Sequence, residues 1–585
     1  MADDEKLLKK LEDSTKDAMR HQLETLHSIL EHQGGVRYLQ RLLQGYDAPF
    51  DVDTFRRVVP LSTYEDYSDD INRLADGPHD HDRGQPLLSV DPLICFFYSS
   101  GTSSMKPKLI PYYDSHLSKS ASYVAHQGSA VILRRLFPPR PSVNKFIGFI
   151  YADNVTTTKL GFKVMAASAF AFRNNSSKAA YWAHFASSSS TIEIILGSNV
   201  EHQMYCHILC GLRNSDLIDG IRAPYAIGLI RAFSLLESKW MQLCDDLENG
   251  FLSSEISDVA MRDSVIEVLG GPQVELANKV RSICQEKNWG GIVRKLWPNI
   301  RYVKCVTTGS MKQYYPKLKH FAGETPLLGG DYFASECCVG INLDITQPPE
   351  TTRFVLLPTA AYFEFLPFDF NQISCVGEQT VDISDVEVGK MYEVIVTTYR
   401  GLYRYRLGDI VKVVGFHNSS PEVEFIMRAP KSLSDIITER GLMSAIEICQ
   451  SVMKNALRPE ITEFSSFLDS ELNPKQLKVL VEIGEECMIV EESLIVLLRE
   501  ICSILEDNLG SLYRVKRDKG EVGSLLLTVV KPGSYGKLAK VAIDNGVSAS
   551  QYKPPKIIRR REAAAFLESY SLVTVSSDSV EQGRN

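Results

Sequence analysis

A loop dense in small hydroxyl side chains is the segment of this sequence best suited to chemistry. The apolar run Ile94–Tyr98 predicts a strand, and residues 99–108 follow it as Ser-Ser-Gly-Thr-Ser-Ser-Met-Lys-Pro-Lys. Small residues let backbone N–H groups approach phosphate oxygens, hydroxyls donate hydrogen bonds, and lysine adds positive charge. The loop lacks the Gly-Lys-Ser/Thr ending of a Walker motif. On composition alone, a polyphosphate site and a solvated Ser-rich turn are about equally good interpretations.

Three motifs in order resemble those of a known enzyme family. The loop is followed by Tyr332-Phe-Ala-Ser-Glu336 and by Tyr403-Arg-Tyr-Arg-Leu-Gly-Asp409. Together they resemble the motifs of the auxin-responsive Gretchen Hagen family of plant acyl acid amido synthetases, within the adenylate-forming, firefly-luciferase-like superfamily. Intervening runs such as Met204–Leu212 and Gln551–Pro554 also look like this family. The resemblance therefore covers nearly the whole chain.

The resemblance implies a ligase reaction in two halves. A carboxylate attacks the α-phosphate of ATP and expels pyrophosphate, and the amine of an amino acid then attacks the acyl-adenylate and expels AMP. The expected cofactors are ATP and magnesium, and the expected partners are a small carboxylic acid and an amino acid. Indole-acetic, jasmonic and benzoic acids all stay open as substrates. Such an enzyme positions two anions and stabilises charge on phosphorus, so no catalytic triad is expected.

The resemblance also implies a nucleotide-binding set and a metal ligand. Asp409 would accept hydrogen bonds from the ribose hydroxyls, and Glu336 would offer magnesium the oxygen ligand that it prefers. The alternatives are a turn residue for Asp409 and an exposed helix-start carboxylate for Glu336. The full ATP-binding set is Ser99, Ser100, Thr102, Ser103, Lys108, Thr308, Gly309, Ser310, Tyr332 and Asp409.

Three basic residues complete the predicted chemistry. Lys553 resembles the mobile lysine that reaches the α-phosphate when a small domain closes, and its alternative is a solvated lysine in a Pro-rich turn. Arg404 and Arg406 alternate along a predicted strand, so they share one face. One or both would contact phosphate or support Asp409, and a structural ion pair is an equally good interpretation. Arg404 is carried forward as a catalytic residue together with Glu336 and Lys553.

Several positions depart from the family pattern. Met105 stands where the family usually has glycine, and Phe333-Ala334 replaces the usual Gly-Ser. Glu439 falls where a hinge-proximal lysine is common, although a shift of one residue would place Arg440 there. These departures motivate the alternative of a degenerate member that binds nucleotide or hormone without turnover. A second alternative is a ligase that passes the acyl group to coenzyme A.

The acyl-acid pocket is expected near a helix at about residues 115–133. The predicted pocket residues are Tyr123, His126, Gln127 and Tyr205. Some benzoate-using relatives carry on this helix an arginine that pairs with the carboxylate, and Gln127 aligns with it. An interfacial histidine that binds no substrate is the alternative for His126. The pocket is expected to be apolar with aromatic walls.

These residues need a scaffold of interleaved helices and strands, which indicates an α/β body. Apolar stripes predict helices at residues 4–33 and 226–249. The pattern changes after about residue 430, where helix-like stretches alternate with strands. We therefore predict an α/β fold with a large N-terminal adenylation domain at 1–427 and a hinge at 428–434. A smaller mobile α+β lid domain at 435–570 and a disordered tail at 571–585 would complete the chain.

Composition limits the remaining possibilities. The 585 residues carry a net charge of −8, with 44% apolar and 23% charged residues. This balance does not resemble a nucleic-acid binder, and no stretch reaches the roughly 20 apolar residues of a membrane span. The twelve cysteines include no paired CxxC set, so zinc is not expected. We predict a cytoplasmic monomer without nucleic-acid or membrane partners.

Overall fold

The computed structural model describes most of the chain, which forms an N-terminal body and a C-terminal domain. The described residues are 2–43, 51–77, 85–99, 108–174, 185–370, 372–377, 379–430, 435–456, 460–484, 492–545, 547, 549 and 552–578. Among them, the α-helices are α1 Ala2–Lys16, α2 Ala18–Gln33, α3 Arg37–Leu43, α4 Val52–Val58, α5 Ser68–Asp76, α6 His116–Leu136, α7 Phe170–Arg173, α8 Ile192–Leu196, α9 Val200–Arg213, α10 Ala226–Asn249, α11 Val259–Leu269, α12 Val274–Gln285, α13 Ile292–Leu296, α14 Tyr315–Ala322, α15 Glu439–Asn455, α16 Glu492–Asn508, α17 Ser511–Asp518, α18 Ser534–Asp544 and α19 Arg561–Glu568. The strands are β1 Leu93–Tyr98, β2 Leu109–Tyr113, β3 Lys145–Gly148, β4 Thr156–Thr157, β5 Lys163–Ala166, β6 Ile218–Tyr225, β7 Tyr302–Val306, β8 Leu327–Gly329, β9 Tyr332–Phe333, β10 Cys338–Ile341, β11 Arg353–Leu356, β12 Tyr362–Asp369, β13 Ser374–Cys375, β14 Met391–Thr397, β15 Tyr405–His417, β16 Ser420–Arg428, β17 Ile461–Asp469, β18 Gln476–Ile483, β19 Leu526–Val530, β20 Ile557–Ile558 and β21 Ser571–Ser576.

Two sheets of the N-terminal body contain parallel strand pairs. A parallel sheet has the order β3-β6-β7-β8, with helices α9 and α10 packed beside it. Its side chains and those helices form one large apolar core that includes Leu209, Ile221 and Val303. A smaller sheet, in the order β2-β1-β5-β4, includes the hairpin that flanks the Ser-rich loop. This layering is the α/β arrangement predicted from the sequence.

A third sheet of the N-terminal body is antiparallel throughout. Its eight strands run in the order β13-β12-β14-β15-β16-β11-β10-β9. The register of β15 against β16 sets Asp409 directly opposite Arg428. Side chains at directly opposed positions lie close enough to interact. This pairing therefore brings together two charged residues that are nineteen positions apart in the sequence.

The C-terminal domain is an α+β unit that continues beyond its predicted end. Its five strands run in the order β20-β17-β18-β19-β21. The prediction of a disordered tail from residue 571 is corrected here. Ser571–Ser576 forms β21, which pairs antiparallel with β19. Its Val575 is buried in the domain core, and that burial explains why this polar-looking segment is ordered. Residues 579–585 of the predicted tail and 431–434 of the predicted hinge lie outside the described residues.

No helix in the described part of the chain is both long enough and apolar enough to cross a membrane.

Candidate active site

Polar residues follow the carboxyl ends of the strands in the parallel sheet. Tyr225 is the last residue of β6, Thr307 and Thr308 follow β7, and Asp331 follows β8. Ligands of open α/β sheets bind in the crevice outside these ends. The sequence-predicted residues Thr308 and Tyr332 therefore start from the side of the sheet where a ligand is expected.

Asp409 lies at the centre of a buried polar cluster. Its Oδ2 accepts a hydrogen bond of 2.6 Å from the hydroxyl of Tyr332, and its Oδ1 lies 2.6 Å from Nη1 of Arg428. Despite this ion pair, Oδ1 accepts no aligned hydrogen bond from any described residue, although it is buried. Burial raises the pKa of Asp409, while Arg428, Tyr332 and Lys553 act to lower it. One buried carboxylate oxygen is therefore left to accept a hydrogen bond from a ligand.

Lys553 approaches this cluster from the C-terminal domain. Its Nζ lies 3.8 Å from the centroid of the Tyr225 ring, a cation–π contact across the domain boundary. The positive charge of Lys553 acts on both Asp409 and Glu439. The segment is held nearby by the backbone N–H of Ala549, which donates to Asp153 Oδ2 at 3.3 Å. Lys553 thus lies near enough to Asp409 for its charge to act on that carboxylate.

The two residues that flank the Ser-rich loop form hydrogen bonds with each other. Ser99 N–H donates to the Lys108 carbonyl at 3.0 Å, and Lys108 N–H donates to the Ser99 hydroxyl oxygen at 3.0 Å. Burial lowers the pKa of Lys108, and the charges of Glu65 and Glu336 offset part of that shift. Lys108 Nζ also lies over the Tyr64 ring, 4.7 Å from its centroid. The remaining predicted loop residues, Ser100, Thr102 and Ser103, lie outside the described residues, as does Met105.

Glu336 lies on the segment between β9 and β10 and is 8% exposed. Its Oε2 accepts a hydrogen bond of 2.8 Å from the Ser335 hydroxyl. Among the described residues, Oε1 accepts no hydrogen bond. One buried carboxylate fits the way Mg²⁺ is held beside nucleotide phosphates, by one or two carboxylates with phosphate and water.

Gly309 is fixed by its backbone and by its neighbour. It follows Thr308 with φ +60°, and it begins the 3₁₀ helix Gly309–Tyr314. A Cβ atom there would lie 2.6 Å from the ring of Phe425. Only glycine suits both conditions. Together with Ser310, this tight turn exposes backbone at the end of β7, where the sequence analysis expected nucleotide contacts.

The structure corrects the catalytic prediction for Arg404. Its side chain is 6% exposed and pairs with the buried Glu364 at 2.8 Å, and its Nη1 donates to the carbonyl of Val59 at 2.8 Å. The residue has φ +46° and precedes β15, so it does not alternate with Arg406 along a regular strand. Arg406 pairs with Glu393 instead. Both arginines are therefore committed to structural carboxylates, and Arg428 takes the place beside Asp409.

The predicted acyl-pocket residues do not form one group. Tyr123 is 61% exposed on α6, and Gln127 is partly buried on the same helix. The His126 ring packs against the Phe333 ring, with 4.6 Å between the two ring centroids. Tyr205 requires a correction. It is buried in the large core, where its hydroxyl donates to Asp246 Oδ2 at 2.7 Å. Its polar end is already satisfied, so it is a packing residue.

Sequence reasoning missed Arg428 and Arg400, which both reach the site from antiparallel strands or their turns. Arg428 was visible only as part of a Met-Arg-Ala-Pro run near the expected hinge. The signal that could have found it is the pairing of two consecutive strands, because that register sets Arg428 opposite Asp409. Arg400 has no comparable signal, since its contacts lie on α6 and on the Ser335 backbone.

Comparison with known families covers nearly all of the chain. The GH3 family N-terminal domain matches residues 7–327, the GH3 family central domain matches 354–428, and the GH3 family C-terminal domain matches 440–562. The three domains follow one another in chain order, as an α/β body and a separate α+β domain, and this architecture is that of a solved acyl acid amido synthetase. The chain belongs to the GH3 family, which confirms the resemblance drawn from the three motifs.

Similar proteins share both the sequence and the fold. A relative named probable indole-3-acetic acid-amido synthetase GH3.6, from Oryza sativa subsp. japonica, is 48% identical over 379 residues, which cover 63% of this chain and 77% of the relative. The jasmonoyl-L-amino acid synthetase JAR6 of Nicotiana attenuata is 34% identical over 562 residues, which cover 95% and 94%. The structure of GH3.15 acyl acid amido synthetase matches with a TM-score of 0.84 at 29% identity, over 97% of each chain.

Proposed function

We propose that this protein is an ATP-dependent acyl acid amido synthetase that joins a small carboxylic acid to an amino acid. In the first half-reaction a carboxylate oxygen forms a bond to the α-phosphorus of ATP, and the bond to the pyrophosphate leaving group breaks. In the second, the amino nitrogen bonds to the acyl carbon, AMP leaves, and the nitrogen releases a proton to solvent. Relatives named for indole-3-acetic acid, jasmonate and 4-substituted benzoates support this substrate class.

The observation that carries the proposal is the buried Asp409 oxygen beside Arg428. Asp409 Oδ1 forms an ion pair with Arg428 and, as a carboxylate oxygen with two lone pairs, can still accept a hydrogen bond from a ligand. The ribose of ATP offers hydroxyl donors for this oxygen. Tyr332 holds the other oxygen at 2.6 Å, which fixes the orientation of the carboxylate. The residues present therefore fit a bound nucleoside.

The remaining predicted residues divide among phosphate, metal and lid roles. Ser99, Lys108 and the Thr308–Ser310 turn would contact the phosphates, and the loop residues Ser100, Thr102 and Ser103 stay part of the same prediction. Glu336 would hold magnesium, which supplies positive charge against the phosphates when bound. Lys553 would approach the α-phosphate from the C-terminal domain. Rotation of that domain between the half-reactions would change which of its residues face the active site. The cytoplasmic location and the monomeric state stay predictions.

The test is acid-dependent release of pyrophosphate in the presence of pooled amino acids. Indole-3-acetic, jasmonic and benzoic acids are supplied one at a time with ATP and magnesium. We expect release with at least one acid, and about tenfold weaker ATP binding in Asp409→Asn, because a hydrogen bond to a charged group contributes about 1.5–3 kcal/mol. Asp385→Asn, an exposed carboxylate in a turn, is the matched control. ATP binding without release from any acid would identify a non-catalytic binder.

A further inference from the structure

Arg400 extends from the turn between β14 and β15 toward the segment that carries Glu336. Its Nε donates to the Ser118 hydroxyl at 3.0 Å, and its Nη2 donates to the Ser122 hydroxyl at 3.4 Å. Its Nη1 donates to the Ser335 carbonyl at 3.1 Å. The guanidinium also lies over the ring of Tyr112, 4.8 Å from its centroid. The side chain is therefore held in one place by a helix, a loop and a ring.

The charge of Arg400 has no counter-ion in the described part of the chain. No carboxylate oxygen described by the structure lies within the 4.0 Å ion-pair distance of its nitrogens, whereas Arg404 and Arg406 pair with Glu364 and Glu393. Partly buried arginines are usually paired because removing an isolated charge from water is costly. A cation that is rigidly held and lacks a counter-ion is suited to an anionic ligand.

The donor geometry around Arg400 leaves hydrogens available for that anion. A guanidinium has five N–H donors, and the three contacts with Ser118, Ser122 and Ser335 use three of them. One N–H remains on each terminal nitrogen and can donate a charge-assisted hydrogen bond to an anion. Ser118 and Ser122 accept from Arg400, and within the described part of the chain neither hydroxyl donates a hydrogen bond, so each has a hydrogen to offer the same anion.

These groups line a small cavity beside Glu336. Its volume is about 10 Å³, which suits a single oxygen atom, and its walls include Ser118, Ser122, Arg400 and Glu336. A carboxylate oxygen entering this cavity would also meet the negative charge of Glu336. The fixed charge of Arg400 offsets that repulsion.

We propose that Arg400, with the hydroxyls of Ser118 and Ser122, binds the carboxylate of the acyl acid before adenylation. This makes Arg400 a specificity-determining residue for an ionised acid. The inference rests on the proposed ligase function. It assigns the anion-recognising group to the β14–β15 turn rather than to α6.

The test compares each acid with its neutral primary amide. Indole-3-acetic, jasmonic and benzoic acids and their amides are titrated calorimetrically into the full chain and into Arg400→Gln, Arg400→Lys and Arg294→Gln. Arg294 is an exposed arginine on α13 and serves as the matched control. We expect Arg400→Gln to weaken acid binding about tenfold to a hundredfold while amide affinity stays within about twofold. Arg400→Lys should retain part of the acid affinity.

The outcomes separate this inference from the function on which it rests. Equal weakening of acid and amide in Arg400→Gln, or unchanged affinity for both, would show that Arg400 only ties α6 to the Ser335 segment and would overturn the assignment. Acid-dependent pyrophosphate release by the unmodified protein would then still support the ligase. No release from any acid would overturn the ligase function, and the Arg400 assignment with it.

Discussion

Three arginines of the antiparallel sheet and its turns differ in their partners, and those partners separate structural from ligand-facing roles. Arg404 and Arg406 pair with the buried carboxylates of Glu364 and Glu393. Arg428 pairs with Asp409 but leaves one carboxylate oxygen without a hydrogen bond among the described residues. Sequence reasoning left the role of Arg404 open between phosphate contact and ion pair, because the partner Glu364 is forty positions away and is brought close only by the sheet.

The Arg404–Glu364 pair gives a prediction about stability. Arg404→Ala should lower the free energy of unfolding by about 3–5 kcal/mol, because it leaves a buried glutamate without its counter-ion. Chemical denaturation measures this, with Arg353→Ala as the control, since Arg353 is exposed on β11 of the same sheet. Normal stability combined with lost adenylation would instead restore the catalytic role predicted from the motif.

His207 gives a prediction about pH. Its Nδ1 lies 2.7 Å from the Ser190 hydroxyl and its Nε2 lies 3.2 Å from the Ile150 carbonyl oxygen, and the residue is fully buried. Burial lowers the pKa of His207 to about 4. The unfolded chain binds a proton near pH 6.5, so the stability contributed by the neutral ring is present above that pH. It is lost as the pH falls toward 4.

The expected loss over this interval is about 3 kcal/mol, from about 1.4 kcal/mol for each pH unit between the two pKa values. His207→Gln cannot take up the proton, so the unfolding free energy of this variant should vary less between pH 6.5 and pH 4. Denaturation curves at several pH values compare it with the unmodified protein. Parallel pH profiles for the two proteins would contradict the assignment of a buried neutral histidine.

At the scale of elements, the turn after β7 joins the parallel sheet to the antiparallel one. Gly309 follows that strand, and a Cβ atom added to it would lie 2.6 Å from the Phe425 ring on β16. The ring of Phe425 in turn lies edge-on to Tyr332, with 5.9 Å between centroids. A change at this turn is therefore transmitted to the residue that orients Asp409.

Gly309→Ala should impair both folding and nucleotide binding. The positive φ costs about 1–2 kcal/mol in alanine, and the clash with Phe425 adds about 1–3 kcal/mol. Gly389→Ala is the matched control, because Gly389 has φ +91° and no atom within 4 Å of its added Cβ. Thermal unfolding and ATP binding are measured for both variants. Equal effects of the two substitutions would show that the Phe425 contact carries no weight.

The sequence predicts helices and strands well where apolar periodicity sets their bounds. It predicts them less well where a local helix cap or a distant pairing partner sets the bounds. The stripe at 226–249 predicts α10 at its observed bounds, Ala226–Asn249. The helix predicted at 4–33 is two helices, because Asp17 has φ −137° and caps the second one at Arg20. The strand β21 was missed because its burial depends on pairing with β19, more than forty residues earlier.

At the scale of the whole molecule, a buried glutamate joins the two domains. Glu463 of the C-terminal domain forms an ion pair with Lys556 of the same domain. It also accepts hydrogen bonds from Tyr314 at 2.5 Å and from Gln313 at 3.2 Å, both in the N-terminal body. Burial lowers the pKa of Lys556, and Glu463 acts against that shift. These contacts hold the arrangement in which Lys553 lies near Asp409.

Tyr314→Phe should weaken this arrangement without altering the nucleotide cluster. The loss of one hydrogen bond to a charged group, worth about 1.5–3 kcal/mol, should slow adenylation about tenfold or more by depopulating the closed domain arrangement. Amide formation from a synthetic acyl-adenylate should change less. Tyr315→Phe, at the neighbouring partly buried tyrosine, is the control. Equal slowing of both half-reactions would count against a role in closing the domains for adenylation.

The most direct measurement of the central claim is the mass of the product formed from an acid, an amino-acid pool, ATP and magnesium. For an acyl acid amido synthetase, we expect a conjugate whose mass equals acid plus amino acid minus one water. AMP and pyrophosphate should form with it in equal amounts. Asp409→Asn should form less of it at limiting ATP. A product that forms only with coenzyme A, or ATP binding without any conjugate from the three acid classes, would contradict this function.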